Sequence, residues 1–157
     1  MAVTKEQFRR WLASFAAGVT VVTTRSADGR PYGLTATAFT SVSLEPPLVL
    51  VCVDKKSESH PHFLASRVFA VNFLAEGQEH YARRFAVSGG EKFRDIPFAF
   101  GVGGAPLLQE RLGFVECRAE EIVEAGDHTI LIGRVVAGDA AEEKRPLLYF
   151  RGAYYGI

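Results

Sequence analysis

Residues 33 to 57 read GLTATAFTSVSLEPPLVLVCVDKKS, with hydroxyls at Thr35, Thr37, Thr40, Ser41 and Ser43 ahead of an apolar run that ends in Lys55, Lys56 and Ser57. Alternation along a strand puts Thr35, Thr37 and Ser41 on related positions, where short hydroxyls can hold phosphate oxygens. Lysines just past the end of a buried strand, beside the start of a helix, would add the charge that an anion requires. The same pattern also fits a solvent-facing strand closed by ordinary turn charges, because threonine is a good strand former. Both readings stay open on spacing alone.

Other candidates are scattered. His128 follows Gly126-Asp127 at the head of an apolar run, a place where an imidazole either meets a substrate or caps a turn. Arg84, Lys92 and Phe93 flank Gly89-Gly90, either closing over a ligand or standing as surface residues beside a loop. Cys52 and Cys117 are far apart, each in an apolar stretch, and read as buried free thiols. The only close pair of metal-type ligands is His60 with His62, so no metal site is expected.

Several chemistries have no support. The chain contains no GxSxG elbow and no Walker sequence, and GVGGAP (101 to 106) lacks the strand running into a helix that a dinucleotide fingerprint needs. Few titratable groups stand in suggestive places, which suits a holder for a cofactor that brings its own chemistry. A flavin would need a flat apolar slot, donors along its polar edge, and hydroxyls or cations at its phosphate. The 33 to 57 stretch offers each of these.

The elements that must position these residues follow from pattern. Thr4 with Gln7 has the form of a capping box, and Phe8, Trp11, Leu12 and Phe15 continue at helical spacing until Gly18. Residues 19 to 24 are β-branched, Asp28-Gly29 signals a hairpin, and 33 to 43 form the returning strand. Pro46 and Pro47 precede LVLVCV, apolar on both faces and read as a strand deep in the sheet. Ser57 would cap a short helix through Phe63 and Leu64, 67 to 75 is a further strand, and GQEHYARRFAV has helical composition.

Residues 91 to 108 read as loop. Two strands surround Ala125-Gly126-Asp127, with Val115, Cys117 and Ala119 inward and Glu116, Arg118 and Glu120 outward, and PLLYFRGAYYGI supplies a last strand. The expectation is one mainly β domain over 1 to 157, a closed antiparallel barrel of six or seven strands with inserted helices.

Of the 157 residues 48% are hydrophobic and 23% charged, an ordinary globular composition. Eighteen basic residues balance eighteen acidic ones, so no global field favours nucleic acid or an anionic membrane. Charges in MAVTKEQFRRW stand where a signal peptide needs its apolar core, and no apolar run approaches the roughly 20 residues of a membrane span. A soluble, cytoplasmic protein is expected.

Taken in order, FAAGVTVVTT, DGRPYGLTATAFTSVSLEPPLVLVCV, FAVNFLAEGQEHYARRFA, KF, GAPLL, FVECR, AGDHTILIGRV and PLLYFRGAYY resemble the flavin reductase-like family. That likeness runs from about Phe8 to Tyr155 and implies the FMN-binding split barrel, a Greek-key antiparallel β-barrel. It implies a homodimeric NAD(P)H:flavin oxidoreductase that reduces FMN or FAD with NADH or NADPH and passes the product to a partner monooxygenase. By the same likeness Thr35, Ala36, Thr37 and Ala38 contact the ribityl phosphate, and Cys52, Val53, Asp54, Lys55 and Ser57 lie beside the ring and phosphate. Asn72 and Phe73 fall near the isoalloxazine, Lys92 and Phe93 on the phosphate side, and His128 where the nicotinamide stacks.

One departure is visible. Relatives often read V-S-S-F where this chain has Thr35-Ala36-Thr37-Ala38-Phe39, so Ala38 replaces a hydroxyl and affinity leans on Thr35, backbone amides and lysine. Two other readings fit the residues: a split-barrel flavoprotein with another electron acceptor, and a flavin-binding module without activity.

Overall fold

The computed structural model describes all 157 residues. It opens with α1 (Lys5–Leu12), capped as expected: the Thr4 hydroxyl accepts from Gln7 N at 3.1 Å, and Gln7 Oε1 accepts from Thr4 N at 3.0 Å. The helix stops at Leu12 rather than running on to Gly18. Ala17–Gly18 form β1 instead, because their backbone pairs with a strand near the C-terminus.

Next come β2 (Thr20–Arg25), β3 (Pro31–Ala36), β4 (Phe39–Ser43), β5 (Leu48–Asp54), α2 (His60–Ser66), β6 (Val68–Phe73) and α3 (Glu79–Phe85). The expected single strand over 33 to 43 is therefore two, broken at Thr37-Ala38. Ser57 does not cap α2; that position belongs to Ser59, and the Ser57 hydroxyl accepts from Ser59 N at 3.1 Å in the preceding turn.

The presumed loop from 91 to 108 contains a short hairpin, β7 (Phe98–Phe100) with β8 (Pro106–Leu108). A long hairpin follows, β9 (Gly113–Ala125) with β10 (His128–Ala140), turning at Gly126, whose φ of 62° suits glycine. The C-terminal segment makes two short strands, β11 (Leu148–Phe150) and β12 (Ala153–Tyr155), where one was expected. Arg151 and Gly152 take left-handed conformations between them and reverse the chain.

Seven strands form one antiparallel sheet in the order β3-β2-β6-β9-β10-β5-β4. Its two edges, β3 and β4, are consecutive in the chain and joined by only Thr37 and Ala38. Such a short link requires the sheet to curl until its edges nearly meet, which makes a barrel with an open seam. The architecture is mainly β and antiparallel, as the sequence led us to expect.

The barrel interior is filled by Val22, Leu34, Val49, Val51, Val53, Phe63, Phe69, Val71, Cys117 and Leu131. Gly133 is needed here: a Cβ would lie 2.5 Å from Phe69 Cζ and 2.8 Å from Cys117 Cβ. A second core of Val19, Val21, Leu74, Tyr81, Phe85, Ile96, Leu108 and Leu147 lies outside the barrel, so β2 buries both of its faces. Glu116 departs from the expected wet face of β9. It is buried, with Gly103 N donating to Oε1 at 2.9 Å. No helix is long and apolar enough to cross a membrane.

Candidate functional site

The seam decides where polar chemistry collects. As edge strands, β3 and β4 each pair on one side only, so some of their backbone groups stay free. At the break, Ala38 O accepts from Cys52 N at 3.1 Å, which ties the link to β5, while the side chains of Thr37 and Ala38 stay exposed. Register then brings the third component: His128 at the head of β10 lies opposite Asp54 at the end of β5, and Lys55 N donates to Asp127 O at 3.0 Å.

These elements enclose a cleft of about 360 Å³. Among the residues singled out from sequence it gathers Thr35, Ala36, Thr37, Ala38, Cys52, Asp54, Ser57, Lys92 and His128. It also brings in Lys56 and the end of α3 with its following turn, Phe85 to Ser88. Those α3 residues were missed, since nothing in a helical pattern says that its last turn will face a sheet edge 50 residues away.

Five candidates lie elsewhere. Val53 points into the barrel core. Lys55 turns outward to Glu124, 3.5 Å away, leaving Lys56 as the one of the pair on the cleft. Asn72 is fully buried: its Nδ2 donates to Val21 O at 3.1 Å and its Oδ1 accepts from Leu108 N at 2.9 Å, so the amide ties β6 to β2 and β8.

Phe73 lines a separate apolar cleft of about 350 Å³ with Phe15, Phe39, Leu112 and Leu147. Phe93 borders a third cavity of about 540 Å³ with Arg30, Tyr32, Glu58 and Arg94.

Hydrogen bonding sorts the hydroxyls. The Thr35 hydroxyl donates to Ala82 O of α3 at 2.6 Å, so its proton is committed and it cannot also donate to a phosphate. Thr37 is exposed. The Ser57 hydroxyl accepts from Ser59 N and keeps its proton for a ligand. His128 Nδ1 lies 2.7 Å from Asp127 Oδ1, and this hydrogen bond holds the Asp127 carboxyl below its ordinary range. The bond also fixes the imidazole's orientation at the cleft wall.

Lys92 is the buried cation, 9% exposed. Burial lowers its pKa, and Glu58, with Oε1 3.6 Å from Nζ, offsets part of that effect. Burial pushes the Cys52 thiol up and the Cys117 thiol up to about 12, so neither is a thiolate at neutral pH.

The polar and the apolar cleft share Thr37. A slot lined by Phe39 and Phe73, ring centroids 5.4 Å apart, thus adjoins a pocket with hydroxyls and two lysines. An amphipathic ligand with a flat apolar end and an anionic end suits both environments.

Fold and clefts together define the class: an antiparallel barrel with a ligand site at its open seam. The chain belongs to the flavin reductase-like domain family, whose model matches residues 12–157. It is 40% identical over 156 residues to the reductase subunit HsaB of a flavin-dependent monooxygenase from Rhodococcus jostii, covering 99% of this chain and 80% of that one. It is 43% identical over 152 residues to a flavin reductase (NADH) from Kitasatospora aureofaciens, covering 95% and 80%. The NADH:FAD oxidoreductase SgcE6 of Streptomyces globisporus, solved with NAD and FAD fragments, superposes with a TM-score of 0.92 at 37% identity, covering 100% of this chain and 96% of that one. That superposition, over nearly the whole of both chains, shows that they share one fold, the split barrel.

Proposed function

We propose that this protein is an NADH-dependent flavin reductase that supplies reduced flavin to a partner monooxygenase. The observation that carries this reading is the junction at Thr37, where an apolar slot meets a hydroxyl- and lysine-lined pocket beside an oriented histidine. Membership of the family and the named relatives supply the reaction.

When bound, the nicotinamide and the flavin would supply the redox chemistry themselves, as hydride donor and acceptor. The protein's part is positioning. Thr37 and the free backbone of the seam would hold the ligand at the junction of the two clefts, and Ser57, Lys56 and Lys92 would receive its phosphate. His128, held by Asp127, orients the nicotinamide at the mouth. Val53 and Asn72 act from behind, filling the barrel and holding β6 to its neighbours.

Both FMN and FAD are substrates to test, as are NADH and NADPH. A homodimer belongs to the same proposal, supported by the exposed apolar face of α1, where Phe8, Trp11 and Leu12 are each more than half exposed. The protein works as one domain in the cytoplasm.

NAD(P)H oxidation with and without added FMN, FAD or riboflavin tests the reading. Turnover that depends on added flavin is expected. Protein that purifies yellow but oxidises neither nicotinamide with any flavin would point instead to a flavoprotein with another acceptor.

A further inference from the structure

The buried cation of the cleft is already engaged. Lys92 Nζ lies 3.6 Å from Glu58 Oε1 and 3.3 Å from Gly33 O, to which it donates. Lys92 lines both the polar cleft and the 540 Å³ cavity beside it, whereas Glu58 lines only the second. The carboxylate therefore draws the ammonium toward the far side of the wall that separates the two spaces.

The two partners differ in what they lose on parting. Lys92 is buried and has few places to put its charge, but the Glu58 side chain is 37% exposed and regains water easily. An incoming phosphate offers Lys92 more charge than one carboxylate does, and binding it requires breaking or sharing the Glu58 contact. Glu58 also follows Ser57 directly, so its charge stands close to where the phosphate would settle, and like charges repel.

We propose that Glu58 is an internal competitor for the flavin phosphate: Lys92 exchanges Glu58 for the phosphate on binding, and this competition keeps phosphorylated flavin weakly held. The inference rests on the flavin reading of the cleft. Its consequence is that flavin leaves after reduction as a diffusing product instead of staying as a resident group.

Equilibrium titration of flavin fluorescence, without nicotinamide, tests it with FMN and with riboflavin, which lacks the phosphate. Glu58→Gln keeps the side chain's shape and removes its charge. It should tighten FMN about tenfold and leave riboflavin unchanged. Glu91→Gln makes the same charge change in the wall of the same cavity without a bond to Lys92, and should leave the FMN-to-riboflavin ratio as in wild type. In a Lys92→Met background, the effect of Glu58→Gln on FMN should shrink to the small part that direct repulsion supplies.

Equal tightening of both flavins, no tightening of FMN, or an undiminished effect without Lys92 would overturn the proposal. Should Lys92→Met fail to fold, the ratio measured for Glu58→Gln decides alone. Wild-type protein that binds neither flavin overturns the flavin reading itself, a result distinct from one that binds both and ignores Glu58.

Discussion

At the scale of single residues, the site is governed by which polar groups are already committed. Lys92 shows this through pH. Its pKa is lowered below the ordinary 10.5, chiefly by burial, so the native state binds fewer protons than the unfolded chain between the lowered value and 10.5. Stability therefore gains with rising pH across that window, as the cost of a buried charge disappears, while affinity for phosphate falls. Equilibrium dialysis should show the preference for FMN over riboflavin fading as pH rises and before it reaches 10.5, earlier than exposed lysines would lose their charge.

His128 lends itself to a separate test. Since Asp127 fixes its orientation at the cleft wall, His128→Ala should slow flavin reduction about tenfold or more with little change in flavin affinity. Equal losses in both would make it a flavin-binding group. Most of the cleft was legible from the stretch 33 to 57 and the Gly126-Asp127-His128 turn. Asn72 was not, because a buried amide that ties its strand to two others looks in sequence like one that faces a ligand. Lys55 and Lys56 are equivalent in sequence, and only the pairing with Glu124 separates them.

At the scale of elements, the position of the cleft depends on pairing that local pattern cannot specify. The β2 and β5 strands and the β9–β10 hairpin were readable from β-branched runs and the turn at Gly126. The stop of α1 at Leu12 and the break at Thr37-Ala38 were not, because each is imposed by pairing with another strand. Gly133 is a case in which the sheet itself depends on one missing side chain. Gly133→Ala drives a methyl into Phe69 and Cys117 and should destabilise the barrel by about 1–3 kcal/mol. Urea unfolding of the variant checks this, and an unchanged midpoint would mean that Phe69 moves aside freely.

At the scale of the whole molecule, the amphipathic helix that sequence identified does not bury its apolar side on its own barrel. Phe8, Trp11, Leu12 and Phe15 remain exposed, and no residue of α1 is buried. A second copy is the occupant that the family likeness implies, so light scattering should give twice the chain mass, and Trp11→Glu should shift the protein toward the monomer. A wild-type monomer at micromolar concentration would reject this.

The seam has a further consequence, for the order of events in time. Between β3 and β4, neighbours in the chain, stand five strands drawn from residues 20 to 140, and His128 arrives on the last of them to be synthesised. Because its parts are recruited from nearly the full length of the chain, the cleft comes into being only as the barrel closes, a slow, non-local step. The cleft is complete only once β10 has joined the sheet, and any ligand that occupies it resists unfolding of the whole barrel rather than of one loop.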